Sequence, residues 1–322
     1  MKSKVYVTRQ VPEEGITMLR QACQVEVWEG ELPVPRDILL QKVRDIDGLY
    51  SLLTDRVDQE LLDTAPNLRV VSNMAVGYDN IDVAACTARG IPVGHTPGVL
   101  TDTTADFAFA LLMTAARRVV EGVDYVRAGR WKTWGPTLFM GADVHGATLG
   151  IVGIGRIGQA VARRARGFDM RILYFDPYVS DARIAGSTSV DLDTLLVESD
   201  FVTLHVPLTE MTHHFISRKE LNKMKPTAVL VNTSRGSVVD PEALVEALRD
   251  EKIAYAALDV TEPEPIPVDH PLLTLPNCIV VPHIASASVA TRTKMATIAA
   301  ENLLAGLQGQ PLPYCVNPDV RA

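Results

Sequence analysis

Cysteine is scarce and scattered in this chain. Cys23, Cys86, Cys278 and Cys315 form no C-x-x-C pair and no metal-ligand spacing. That excludes a disulfide scaffold and a cysteine zinc site, and predicts small buried apolar residues with reduced thiols in a cytoplasmic protein. No apolar run reaches the ~20 residues of a membrane-spanning helix, so no membrane partner is expected. Met1-Lys2-Ser3-Lys4-Val5 leads into a short strand pattern rather than a secretory signal. Basic clusters are missing too. The 31 Lys and Arg stand against 39 Asp and Glu, a formal charge of -8, which removes nucleic acid from the expected partners. There is no internal low-complexity segment and no evident repeat. What remains, 47% hydrophobic and 22% charged residues over 322 positions, has room for two cored domains.

The most informative stretch is 148–176. Thr148-Leu149-Gly150-Ile151-Val152 has the length and β-branched content of a buried parallel strand. It runs into Gly153-Ile154-Gly155-Arg156-Ile157-Gly158, then a helix-forming run to Arg166, then a second strand, Arg171–Phe175, ending on Asp176. This is a βαβ unit with G-x-G-x-x-G at its turn and an acid about 20 residues on. Gly153 permits the tight turn, Gly155 lets a pyrophosphate approach the backbone, and Gly158 lets helix and strand pack closely. The N–H groups and dipole of the helix start at Arg156 and Ile157 favour the pyrophosphate charge. A lone glycine motif would be equally a turn in any α/β domain; the complete unit points to dinucleotide binding. Asp176 can accept both ribose hydroxyls and repels a 2′-phosphate, which favours NAD(H). Arg183 is near enough in sequence to keep NADP(H) open.

Upstream, strands and helices alternate: Val5–Val7, Glu13–Ala22, Val25–Trp28, Arg36–Val43, Gly48–Leu53, Asp58–Thr64, Leu68–Ser72, Asp82–Arg89 and Ile91–Val93. Such alternation predicts a parallel, doubly wound sheet. It carries no phosphate fingerprint and is a candidate substrate domain. Its loop Asn73–Asn80 follows a strand and reads equally as a ligand loop or a connecting turn. Thr101–Ala128 reads as one long helix, with Thr103 and Asp106 as its N-terminal capping signal. Trp131 and Trp134 follow in a polar turn, either an interface or packing within the subunit. Downstream, the alternation continues: Asp191–Glu198, Phe201–His205, Ser217–Met224 with a Ser217/Glu220 capping box, Thr227–Asn232, Pro241–Asp250, Ile253–Leu258 and Asn277–Val281. A helix from about Ala287 to Leu307 closes the chain and is expected to cross back to the first domain.

Three polar residues follow three of these strands: Arg235 after Thr227–Asn232, Glu264 after Ile253–Leu258, and His283 after Asn277–Val281. In a parallel sheet such loops emerge on the edge that carries the glycine loop. Singly, each residue reads as an ordinary surface group. Together on the cofactor edge, an arginine, a glutamate and a histidine are a catalytic constellation. His205, His213 and His214 read as structural, because His213-His214 lacks metal-ligand spacing; no metal is expected.

With these residues in place, the chain resembles the D-isomer-specific 2-hydroxyacid dehydrogenases nearly end to end. Arg235, Glu264 and His283 fall on the family's trio, Gly153, Gly155 and Gly158 on its fingerprint, and Asp176 on its ribose acid. Val76–Asn80, Leu100–Ala105, Leu258–Thr261 and His270–Leu273 are most similar to the glyoxylate/hydroxypyruvate reductases, many of which prefer NADPH and lack the acid. The resemblance implies two doubly wound α/β domains, a Rossmann nucleotide-binding domain (100–286) inserted into a flavodoxin-like substrate domain (1–99 plus 287–322). It implies NAD(P)H-dependent reduction of glyoxylate and hydroxypyruvate to glycolate and D-glycerate. Arg235 would hold the substrate, His283 would give the proton, and Glu264 would keep the imidazole charged. Backbone N–H groups of Val76 and Gly77 would bind the carboxylate. Thr104, Thr233 and Asp259 would lie near the nicotinamide, Val206 and Pro207 near the adenosine. The long helix and tryptophan segment, 101–140, would form a homodimer in which Trp134 reaches the neighbour's substrate site. Three alternatives stay open at this point: D-3-phosphoglycerate dehydrogenase, though no added domain follows the last helix; phosphite dehydrogenase, whose loop lysine is Val76 here; and a non-catalytic NAD-sensing scaffold like the C-terminal-binding corepressors.

Overall fold

The computed structural model describes residues 2–179 and 186–320. Two compact units divide the chain: Met1–Leu100 with Ala287–Ala322, and Thr101–Ser286.

In the first unit, strands β1 (Lys4–Val7), β2 (Gln24–Val27), β3 (Gly48–Ser51), β4 (Val70–Asn73) and β5 (Val93–Gly94) form a wholly parallel sheet ordered β2-β1-β3-β4-β5. That is the flavodoxin-like order. β3 and β4 are buried on both faces, as their unbroken burial along the strand requires. Helices Glu13–Ala22 and Val289–Leu307 cover one face, where Ile16, Leu19, Val70, Ala299 and Leu303 share a core. A Cβ on Gly15 would stand 2.8 Å from the Ala296 carbonyl oxygen, so glycine sets how closely these two helices approach. The closing helix therefore belongs to the first unit, and Ser72 Oγ donates to its Ala299 carbonyl at 2.8 Å. Helices Arg36–Lys42, Gln59–Thr64 and Val83–Ala88 cover the other face through Leu39, Leu61 and Cys86. Asp58 and Asp82 cap the last two by accepting from Leu61 and Ala85 N–H.

In the second unit, β6 (Thr148–Val152), β7 (Arg171–Phe175), β8 (Ser187–Ser189), β9 (Phe201–Leu204), β10 (Val229–Asn232), β11 (Tyr255–Leu258) and β12 (Cys278–Val280) form a parallel sheet ordered β12-β11-β10-β9-β6-β7-β8. The order reverses between β6 and β9, the switch point where ligands bind in open α/β sheets. Helices Thr101–Ala116 and Arg156–Arg166 close one face over Leu112, Val161 and Ile151. Leu192–Glu198 and Pro241–Arg249 close the other over Leu195, Leu244 and Leu230.

Four expectations need correction. The long helix is two, Thr101–Ala116 and Val119–Arg127, because Arg118 takes a left-handed φ of 52° and its guanidinium turns to Glu121 at 2.7 and 2.9 Å. The apolar period continues in phase across that break, so periodicity does not reveal it. Thr103 and Asp106 do not mark the helix start; it begins at Thr101, which puts both inside the helix, and Asp106 accepts from Arg164 Nε at 2.6 Å. The edge strand β8 was not expected, since Ser-Thr-Ser has no apolar side chain to mark it and is held by backbone pairing to β7. Of the four cysteines, all free, Cys23 and Cys86 are buried but Cys278 and Cys315 only half so.

Candidate active site

The glycine loop fits a dinucleotide by what each glycine excludes. Gly153 has φ 90°, and a Cβ there would meet the His205 carbonyl and Val206 at 2.9 Å. Gly158 would place its Cβ 2.2 Å from the Gly153 oxygen, so helix Arg156–Arg166 could not pack where it does. Gly155 differs: its Cβ would meet nothing within 4 Å. Protein packing does not demand glycine there, and the open space at a helix N-terminus is where a pyrophosphate needs backbone access. Asp176, at the end of β7, is drawn back onto this loop. Its carboxylate accepts from Ile154 N–H at 3.0 Å and Tyr178 N–H at 2.9 Å. Arg183 lies outside the described residues.

Register explains why distant residues gather. Phe175, Val152, Leu204, Asn232, Leu258 and Val280, each the last residue of its strand, are successive partners across the sheet. The following loops leave from one row, with β10, β11 and β12 about 4.8 Å apart. From the β12 end comes His283, whose Nδ1 lies 2.6 Å from Glu264 Oε1. The two side chains are 25% and 34% exposed, open enough for a substrate to reach. Burial alone would raise the Glu264 pKa, but the His283 hydrogen bond and charge, the Thr261 N–H and the Arg235 charge together hold it below the usual carboxylate range. Glu264 is therefore the ionised partner of the imidazole, with Arg235 near enough to act on it.

The backbone is arranged to hold this group. His283 has φ 53°, uncommon for a residue other than glycine. Its N–H donates to Asp259 O, and the Asp259 carboxylate accepts from Ile284 and Ala285 N–H at 2.7 and 2.9 Å. Burial raises the Asp259 pKa against the pull of those N–H groups. Arg235 is set by Asn232, whose amide donates to the Arg235 carbonyl at 2.8 Å while its oxygen accepts from Ser234 N–H and Oγ. Gly236 is forced, since a Cβ there would fall 1.9 Å from the Thr261 oxygen. The arginine loop thus lies directly against the glutamate loop. Asn232, Gly236 and Thr261 were not singled out in the sequence; the signal was Asn-Thr-Ser-Arg-Gly after an apolar strand.

Of the remaining expected residues, Val206 packs on the glycine loop, as noted, with Pro207 next to it. Thr104 is buried on helix Thr101–Ala116. Thr233 is buried with a hydroxyl that has no hydrogen-bond partner among the described residues, which leaves it available to a ligand. Arg156 is exposed at the helix start, while Ile157 packs against the core. Trp134 is 77% exposed. In the first unit, the Val76 carbonyl accepts from His95 and the Gly77 carbonyl from Asn73, at 3.0 and 3.1 Å. Asn80 pins the same loop to Leu52 and Asp55 carbonyls. Neither Val76 nor Gly77 N–H has an acceptor among the described residues. His205 hydrogen-bonds Thr203 at 2.9 Å, and burial lowers its pKa to about 3, so it stays neutral.

Comparison with known proteins agrees with this geometry. The sequence model of the D-isomer specific 2-hydroxyacid dehydrogenase NAD binding domain matches residues 109–285. A glyoxylate reductase of Korarchaeum cryptofilum is 55% identical over 323 residues, covering 99% of this chain and 97% of the relative. A crystal structure of a Thermus thermophilus protein superposes with TM-score 0.93 at 48% identity, covering 97% and 99% of the two chains. An NADPH-dependent glyoxylate/hydroxypyruvate reductase of Sinorhizobium meliloti, solved with NADP and malonate, superposes with TM-score 0.86 at 33% identity, covering 98% and 97%.

Proposed function

Because the chain belongs to the D-isomer specific 2-hydroxyacid dehydrogenases, we propose that it reduces small 2-oxo acids, glyoxylate and hydroxypyruvate first, to glycolate and D-glycerate. The observation that carries this is the 2.6 Å His283–Glu264 hydrogen bond, with the Arg235 charge acting on it, in loops that leave the sheet on the glycine-loop edge.

Arg235 pairs its planar fork with the substrate carboxylate and polarises the keto oxygen, which also fixes which carbonyl face is presented. A bound nicotinamide cofactor supplies the hydride. His283 donates a proton to the developing alkoxide, and Glu264, ionised beside it, orients the imidazole through the 2.6 Å contact at Nδ1. The N–H groups of Val76 and Gly77 offer further donors to the carboxylate. The Gly155 cradle, Arg156 and Ile157 N–H groups and Asp176 would hold the dinucleotide, with Val206 and Pro207 at its adenosine and Thr104, Thr233 and Asp259 near its nicotinamide. The Asp176 carboxylate favours NAD(H) over NADP(H). The exposed residues Val119, Val123, Val126, Trp131, Trp134 and Met140 fit a homodimer through 101–140, in which Trp134 reaches the partner's substrate. Four free cysteines fit a cytoplasmic setting.

Initial rates over a panel of 2-oxo acids and phosphite, each with NAD and NADP forms, test this reading. Fastest turnover of glyoxylate and hydroxypyruvate with NADH is expected. Turnover of phosphite alone, or none at all, would overturn it.

A further inference from the structure

Outside the reacting trio, the second unit brings two neighbouring histidines onto a single carboxylate. His213 and His214 do not have the helical spacing that usually puts two imidazoles on one ion. The structure reaches the same end by a turn. His214 takes φ 49°, and its N–H donates to Ser237 O at 2.7 Å. The two rings then stack, with centroids 4.0 Å apart and planes 22° off parallel. Both present Nε2 to Glu262, His214 at 2.7 Å from Oε2 and His213 at 3.8 Å from Oε1. Among the described residues this is the one group of three such side chains whose ligand atoms all lie within 4.8 Å of one another.

We propose that His213, His214 and Glu262 form a binding site for a divalent transition-metal ion, with water completing the coordination. Two imidazoles and a carboxylate suit zinc and its neighbours, not calcium or magnesium, which prefer all-oxygen sets. The three groups are gathered but not yet aimed at one point, because the rings are stacked and meet different oxygens of Glu262. Ligand atoms about 2.0–2.1 Å from zinc stand about 3.3 Å apart. From ligand atoms within 4.8 Å of one another, the two rings must splay from their stack and Glu262 must turn one oxygen to the ion, rotations open to partly exposed side chains. Binding needs both Nε2 atoms free of protons, which move to Nδ1 or to solvent, and turns the Glu262 carboxylate from hydrogen-bond partner into ligand. The consequence is mechanical. Glu262 stands two residues before Glu264, so an ion here ties segment 209–214 to the loop that carries the partner of His283. It would act as a staple on that loop rather than a participant in hydride transfer, and it does not depend on which 2-oxo acid is reduced.

Full-length protein without a histidine tag, stripped with a chelator, provides the test. Calorimetric titration with Zn²⁺ should show one ion per chain, and Co²⁺ should develop the strong visible bands of four-coordinate cobalt. His213→Ala and the near-isosteric Glu262→Gln should each weaken Zn²⁺ binding about tenfold or more, ~1.4 kcal/mol. His145→Ala, at the separate exposed His145–Asp169 pair, should leave it unchanged. Saturating Zn²⁺ should raise Tm in the parent and not in the two site variants. The proposal falls if binding is absent, if it survives both site variants, or if His145→Ala removes it.

Discussion

Gly155 and Gly158 are three residues apart, yet the structure assigns them opposite sensitivities. At Gly155 a methyl group meets nothing within 4 Å, and the backbone angles, φ −65° and ψ −164°, suit alanine. Alanine at this N-cap costs about 0.5 kcal/mol relative to glycine, while removing glycine from the unfolded chain returns about 0.4–1 kcal/mol. Gly155→Ala should therefore leave Tm within about 2 °C of the parent. The new methyl stands in the space kept for pyrophosphate, so NADH affinity should fall at least about tenfold, ~1.4 kcal/mol. At Gly158 the same methyl would stand 2.2 Å from the Gly153 oxygen, and a carbon–oxygen contact needs roughly 1 Å more. Helix and loop must separate, an overpacking cost of about 1–3 kcal/mol, which lowers Tm by about 2–10 °C. Parallel thermal melts and NADH titrations of both variants check this. Undiminished NADH binding by Gly155→Ala would refute the cradle argument, and so would an equal loss of stability in the two variants.

Other substitutions probe the same edge. Asp176→Ala should raise the ratio of NADPH to NADH kcat/KM about tenfold or more by removing a charge beside the ribose; an unchanged ratio would mean the carboxylate does not meet the 2′-position. Arg235→Lys keeps the charge but loses the fork, so glyoxylate turnover should drop about 10²–10³-fold with NADH affinity retained. Glu264→Gln removes the carboxylate that holds His283 Nδ1 at 2.6 Å, so glyoxylate turnover should fall about tenfold or more with NADH affinity retained; undiminished turnover removes Glu264 from that role. The Glu264 pKa is depressed from 4.5, so its pairing stabilises the fold fully above that value and is lost as pH falls below it. Parent and Glu264→Gln melts should therefore converge only in acid.

How far the chain could be read ahead of its coordinates differs from element to element. Helix Glu13–Ala22 and the strand–turn–helix at 148–166 are visible because apolar period, the proline before Glu13 and the glycine spacing agree. The gathering of Arg235, Glu264 and His283 on one edge follows from parallel topology, since strand ends in register put their loops in one row. What stayed hidden depends on single backbone angles and through-space fit. Arg118 splits a helix whose apolar phase never falters, and Ser187–Ser189 pairs without an apolar residue to announce it. The approach of Gly236 to Thr261 and the turn that aims His213 and His214 at Glu262 join segments more than 20 residues apart, beyond any local pattern.

The central claim is that His283 passes the proton in reduction of a 2-oxo acid. Single-turnover oxidation of bound NADH by glyoxylate, parent against His283→Ala with NADH binding measured on the same samples, tests it most directly. The account predicts a loss of about 10²–10⁴-fold in rate with NADH affinity intact. A rate within twofold of the parent would contradict it.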